Sequence, residues 1–183
     1  MLLCLAGCAK SKTDACLNKP QYQALTQSAK EWLPYSNTKS VVFEDANLAR
    51  DTLEIARIIM GDEEVWVGDK CPVTRGQFVK VDFFDDRTGD SIKTQLGYED
   101  ELRIFTRKNH ILYYDTKKIL VDPAPNKRFE LSKVLNGKTF LEVLVLDCTA
   151  ADNCDPKGIT TIYFSKSKGL AGFVRNGKLW TLY

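Results

Sequence analysis

Residues 169–182 read GLAGFVRNGKLWTL, and the pair in the middle of this stretch, Asn176-Gly177, decides the fold. A two-residue type I′ turn needs positive φ at both central positions, which Asn-Gly supplies, so 169–174 and 178–182 are predicted as the strands of a hairpin. Asn136-Gly137 repeats the signal between 129–134 and 139–146. The fold class that follows is mainly β.

Outward from these hairpins the rhythm continues. Phe78-Val79-Lys80-Val81-Asp82-Phe83-Phe84 reads as a strand, Asp85-Asp86-Arg87-Thr88-Gly89-Asp90 as its closing turn, and Ser91 to Leu96 as the return. Leu102 and Ile104 alternate before a turn at Lys108-Asn109, His110 to Tyr114 continues, and Asp122-Pro123-Ala124-Pro125-Asn126 breaks the order as a loop. Val41-Val42-Phe43 is a further strand, with Asp45-Ala46-Asn47 turning after it. The expected architecture is an antiparallel meander, or half-barrel-like sheet, with one N-terminal helix. That helix rests on Tyr22, Leu25, Ala29, Trp32 and Leu33, which share a stripe at ~3.6 residues per turn. Pro20 suits its first turn, and Pro34 ends it by pushing Leu33 out of helical geometry. Residues 48–59 fit two patterns: Leu53-Glu54-Ile55 alternates like a strand, while Leu48, Thr52, Ile55 and Ile59 also share a helix face.

Composition bounds the answer. A chain of 183 residues, 44% hydrophobic and 27% charged, has the length for one domain with a sizeable core. A net charge of +2 and a pI near 8.1 imply no nucleic-acid partner and no pull toward an acidic membrane surface. The longest apolar run, Val143-Leu144-Val145-Leu146, is far short of the ~20 residues of a spanning helix.

Leu5-Ala6-Gly7-Cys8 resembles the lipobox of bacterial lipoproteins. The resemblance implies that residues 1–7 are residual signal peptide, that Cys8 is lipidated with acyl chains, and that 8–19 is a tether before one domain spanning 20–183. Met1 to Leu5 is shorter than a signal's basic and apolar segments, so more sequence is expected upstream. Lys10 and Lys12 stand where an acidic surface-export run would lie, which favours a periplasm-facing position in the cell envelope. A second resemblance lies in the texture of strands and turns. Trp32-Leu33-Pro34-Tyr35, Val42-Phe43-Glu44-Asp45, Asp51-Thr52-Leu53, Ile162-Tyr163-Phe164-Ser165-Lys166 and Gly169-Leu170-Ala171-Gly172-Phe173 are similar to a group of β-rich Bacteroidota lipoproteins. It favours the hairpin reading of 48–59 and implies no particular activity.

In an oxidising envelope compartment Cys16, Cys71, Cys148 and Cys154 are expected to form disulfides, with three pairings open. The short separation of Cys148 from Cys154 favours a local bridge, leaving Cys16 for Cys71. The lone histidine, His110, and the lack of Cys-x-x-C argue against zinc. His110 would have to serve any Ser-His-Asp or Cys-His system, yet it sits in a strand rhythm beside a turn. Gly137-Lys138-Thr139 lacks the earlier glycine of a phosphate loop and reads as a turn. Two acidic turns, Asp85, Asp86 and Asp90 in one and Asp147, Asp152, Asn153 and Asp155 in the other, depart from the spaced calcium-loop pattern. Lys166, Lys168, Arg175 and Lys178, with Phe173 and Trp180 between them, are a candidate anion-binding face. Strand alternation would send those charges outward and the aromatics inward.

No catalytic set, cofactor or metal site emerges. The expected function is a lipid-anchored envelope protein acting as a binding module for an envelope protein or an apolar ligand. The alternatives are a hydrolase working with carboxylates alone, a carrier with an apolar half-barrel cavity, and an assembly part pairing through a sheet edge.

Overall fold

The computed structural model describes residues 21–67, 71–97, 102–106, 126–148 and 155–183, without the side chains of 65–67 and 71–74. The lipobox, the tether, His110, the proline loop and Cys154 lie outside the described residues.

The described residues are mainly β, in one antiparallel sheet curled into a half-barrel. The strands are β1 (Gln21–Gln23), β2 (Ser40–Glu44), β3 (Arg50–Val67), β4 (Cys71–Phe84), β5 (Ser91–Leu96), β6 (Leu102–Thr106), β7 (Lys127–Leu135), β8 (Lys138–Asp147), β9 (Ile159–Ser165), β10 (Gly169–Arg175) and β11 (Lys178–Leu182). Across the sheet they run β6-β5-β4-β3-β2-β11-β10-β9-β8-β7. Two meanders, β2 to β6 and β7 to β11, are therefore joined where β2 meets β11. Both Asn-Gly turns form as expected, with φ of 44° and 79° at Asn136 and Gly137 and of 52° and 69° at Asn176 and Gly177. Residues 50–59 are strand, so the hairpin reading of that segment holds.

The N-terminal helix is a correction. Residues 21–33 hold only one helical turn, α1 (Gln27–Lys30), preceded by β1, which pairs in parallel with β4. Thr26, in extended backbone, caps that turn by accepting from the Ala29 amide at 3.0 Å, so the chain N-terminal to it is free to join the sheet. The apolar stripe survives in altered form: Leu25, Ala29, Trp32 and Leu33 enter the core, and Tyr22 is exposed.

Each strand alternates between an inner and an outer face. The inner face carries Phe43, Phe83, Phe164 and Phe173, all fully buried, with Val81, Ile92, Leu96 and Ile104. Burying one such aromatic contributes about 1.5–3 kcal/mol, so these positions dominate stability. Segment 25–35 packs into the concave side, with Tyr35 edge-on to Phe83 at 5.1 Å. The Tyr35 hydroxyl accepts from the Leu170 amide, and burial pushes its ionisation well above the ordinary tyrosine range despite that bond. Gly169, at φ 70°, fits against the Tyr35 ring, where a Cβ would stand 2.0 Å from the hydroxyl.

The run Val143-Leu144-Val145-Leu146 is buried at every position because β8 is covered on both faces. Leu144 and Leu146 face the main core, while Val143 and Val145 join Leu135, Phe140 and Ala171 in a second cluster outside the sheet. That cluster exists because the β7–β8 hairpin folds over. Glu142 has φ 49°, its carbonyl accepts from the Lys166 amide at 3.1 Å, and β8 pairs with β9 only from Val143 onward. The Asn136 side chain then donates to the carbonyls of Glu44 and Leu179, and Lys138 to that of Leu182 at 3.0 Å, bridging β2 and β11.

Candidate functional site

On the outer face of β3 to β6 the sheet register lines up charges. Arg57, Asp82, Lys93 and Phe105 stand directly opposite one another on four successive strands. Ile59, Lys80, Gln95 and Arg103 form the next row, two residues or about 7 Å along. These positions fall outward because they alternate with Val79, Val81 and Phe83 on β4 and with Ile92, Thr94 and Leu96 on β5, which are buried in the core. The rows border an open cleft of about 490 Å³ whose lining includes Arg57, Lys80, Asp82, Ser91, Lys93 and Phe105.

The cleft is cationic. Arg57 donates twice to one oxygen of Asp82, at 2.9 and 3.2 Å, which fixes the guanidinium against the carboxylate. The Lys80 ammonium lies 4.5 Å from the centre of the Phe78 ring. The Gln95 amide donates to Glu63 at 3.2 Å. Among the described residues Lys93 has no hydrogen-bond or ion-pair partner. Three cations against one carboxylate leave a surplus of two positive charges, arranged around donors and an aromatic ring. Such a lining carries the charge that suits an anion.

A second charged group lies inside the inner face, where three turns meet. The Arg175 guanidinium, 6% exposed, bonds to Asp51 and to Asp85, the latter at 2.6 Å, lies 3.6 Å from Asp90 and donates to the Thr88 hydroxyl at 3.3 Å. Arg87 covers Asp51 from the solvent side. The second Asp85 oxygen accepts from the Arg87 and Thr88 amides, closing its own turn. Burial alone would raise the Asp85 ionisation, but the bonds from Arg175, Thr88 and the Arg87 amide outweigh it, and the carboxyl is held below the ordinary aspartate value. A glycosidase acid must be raised instead, and Asp85 is not such an acid. It is a clamp: Arg175 on β10 ties the β7–β11 meander to Asp51 on β3 and Asp85 after β4.

The structure disperses the cluster expected near the C-terminus. Lys166 and Lys168 lie in the β9–β10 turn, Arg175 and Lys178 at the other end of β10, about 20 Å away along seven residues of strand. Arg175 corrects the outward expectation. It is two residues from Phe173, so alternation places both on the inner face, with the Arg175 guanidinium 5.5 Å from the Phe173 ring. Lys166 pairs with Glu31 and Glu142 at 3.7 and 3.6 Å, and Lys168 and Lys178 are exposed. Cys8, Cys16 and Cys154, with the side chain of Cys71, lie outside the described residues; Cys148 is disulfide-bonded, and which cysteine it pairs with lies outside them. Asp85 and Asp90 face Arg175, Asp86 is exposed, Asp147 pairs with Arg128, and the Asp155 carboxylate accepts from the Lys157 amide at 2.9 Å. Among the described residues no group of three or more His, Cys, Asp or Glu side chains is placed to hold a metal ion, and no helix is long and apolar enough to cross a membrane.

Arg57, Lys80 and Lys93 escape a reading of the sequence because the cleft belongs to no one segment. Lys80 and Asp82 do show as the polar half of an alternating strand, and Lys93 and Gln95 as another. Only the pairing register brings the two halves together. Comparison of the chain with protein-family models, curated proteins and solved structures finds no match.

Proposed function

We propose that this chain is a binding module of a bacterial cell envelope, anchored by lipid on Cys8 and meeting its partner through the cleft on the outer face of β3 to β6. The observation that carries the binding surface is Lys93, an exposed cation without a partner among the described residues, in a cleft that already holds Arg57 and Lys80. An unsatisfied charge costs nothing in water, and it gains strength as a ligand excludes that water. The anchor is supported by Leu5-Ala6-Gly7-Cys8 and the lysine-bearing tether, and a periplasm-facing position follows from the same residues.

The test joins the two halves. The chain, expressed behind its native upstream sequence, is expected in the membrane fraction with a lipid-bearing N-terminus, and Cys8→Ser releases it. Purified Cys8→Ser protein is expected to be retained on isolated envelope material, and Lys93→Glu to lose at least tenfold of that retention. An unmodified, soluble wild type would remove the anchor, and retention indifferent to Lys93 would remove the cleft.

A further inference from the structure

We infer that the cleft takes a sugar ring bearing a carboxylate, an anionic saccharide unit of the uronic-acid class, an inference that rests on the binding-module reading above. Three features of the geometry select this ligand.

The first is charge. Lys80 and Lys93 stand diagonally across β4 and β5, roughly 7–8 Å apart at their Cβ atoms, so an anion between them is within reach of both flexible stems once the Lys80 ammonium swings off the Phe78 ring. Asp82 stands directly opposite Lys93 and, though bonded to Arg57, keeps a negative oxygen at the centre of the row. A monoanionic carboxylate tolerates that neighbour better than a dianionic phosphate does.

The second is shape. A volume of about 490 Å³ lies within the ~300–1,000 Å³ range of small-molecule sites, far more than an inorganic ion fills. The third is the remaining lining. Phe105 is directly opposite Lys93 on β6, so a ring whose carboxylate reaches Lys93 can lay its C–H face against the aromatic ring. Ser91, two residues before Lys93 on the same face, and the Gln95 amide, two residues after it, flank that position with groups suited to ring hydroxyls. Charge on one side, an aromatic surface on the other and small polar groups between them match a sugar acid.

The experiment is a calorimetric titration of full-length Cys8→Ser protein with D-glucuronate, glucose, inorganic phosphate and an acidic tripeptide. Glucuronate is expected to bind at least tenfold tighter than the other three. Lys93→Glu is expected to abolish that binding, Lys93→Arg to retain it, and circular dichroism to show both variants folded. Lys80→Glu, at a half-buried position on the same outer face, is expected to weaken binding about tenfold. Glucuronate binding no tighter than glucose, or matched by phosphate or the tripeptide with the same dependence on Lys93, would overturn the saccharide assignment while leaving a binding cleft. No binding by any probe, together with envelope retention indifferent to Lys93, would overturn the cleft itself.

Discussion

Arg175 and Arg128 each hold a pair of carboxylates, and their settings differ. Arg175 serves Asp51 and Asp85 with 6% of its side chain exposed and both carboxylates within 1% of full burial. Arg128, on β7, serves Asp147 and Glu130 with 38% exposed, while Thr161 donates to Asp147 at 2.9 Å and Lys133 to Glu130 at 3.1 Å. The bonding is similar, but the reserve is not. Around Arg128 water and a neighbouring lysine stand ready to replace any lost bond. Around Arg175 the carboxylates are sealed beneath Arg87 and the turns, so the guanidinium is their one buried counter-ion among the described residues.

The largest effect expected from this contrast follows Arg175→Met. It leaves Asp51 and Asp85 buried with only the exposed Arg87 as cation and lowers stability by about 3–5 kcal/mol, readable as a drop of roughly 10 °C or more in melting temperature. A loss near that of a surface pair would mean the clamp is hydrated. The next effect is in the acid limb. Because the folded Asp85 ionises below its unfolded value near 3.8, its contribution is complete above about pH 5 and fades as pH falls through the lower folded value. The stability gap between wild type and Asp85→Asn, followed by urea unfolding from pH 7 to pH 2, is therefore expected to shrink below pH 4. A gap constant with pH would show that the carboxylate charge contributes nothing. The smallest effect is Arg128→Ala, at most about 1 kcal/mol and weaker in high salt. A cost above 2 kcal/mol in the same unfolding series would erase the distinction between the two sites.

The sheet was legible wherever its signals were local. Asn136-Gly137 and Asn176-Gly177 announce their hairpins, and the alternation of 78–84 announces β4. The extension of β3 to Val67 was not legible, because Gly61, Asp62, Glu63 and Glu64 interrupt the apolar rhythm. Those residues pair with β4 on an arm beyond β2, where strand geometry comes from backbone bonds and not from a buried face. The spacing from Leu25 to Leu33 marked core residues correctly and their backbone wrongly, since a cap at Thr26 and a sheet neighbour for β1 outweigh periodicity over so short a segment. Arg175 was visible as a charge on the same strand parity as Phe173. Its meaning required Asp51 and Asp85, 124 and 90 residues away.

The join between β2 and β11 has a kinetic consequence. Only Thr181 opposite Glu44 and Leu182 opposite Phe43 form its ladder, extended by the Tyr183 amide donating to Val42 at 2.9 Å. Each meander is built from neighbours in sequence, whereas this join closes a loop of roughly 130 residues, at an entropic cost of about 4 kcal/mol. Two ladder pairs offset little of that, so the join leans on the core shared across it, where Phe43 meets Phe173 at 5.0 Å, and on Asn136 and Lys138 outside and Arg175 inside. The middle of the sheet is thus expected to become native late, once both meanders have formed.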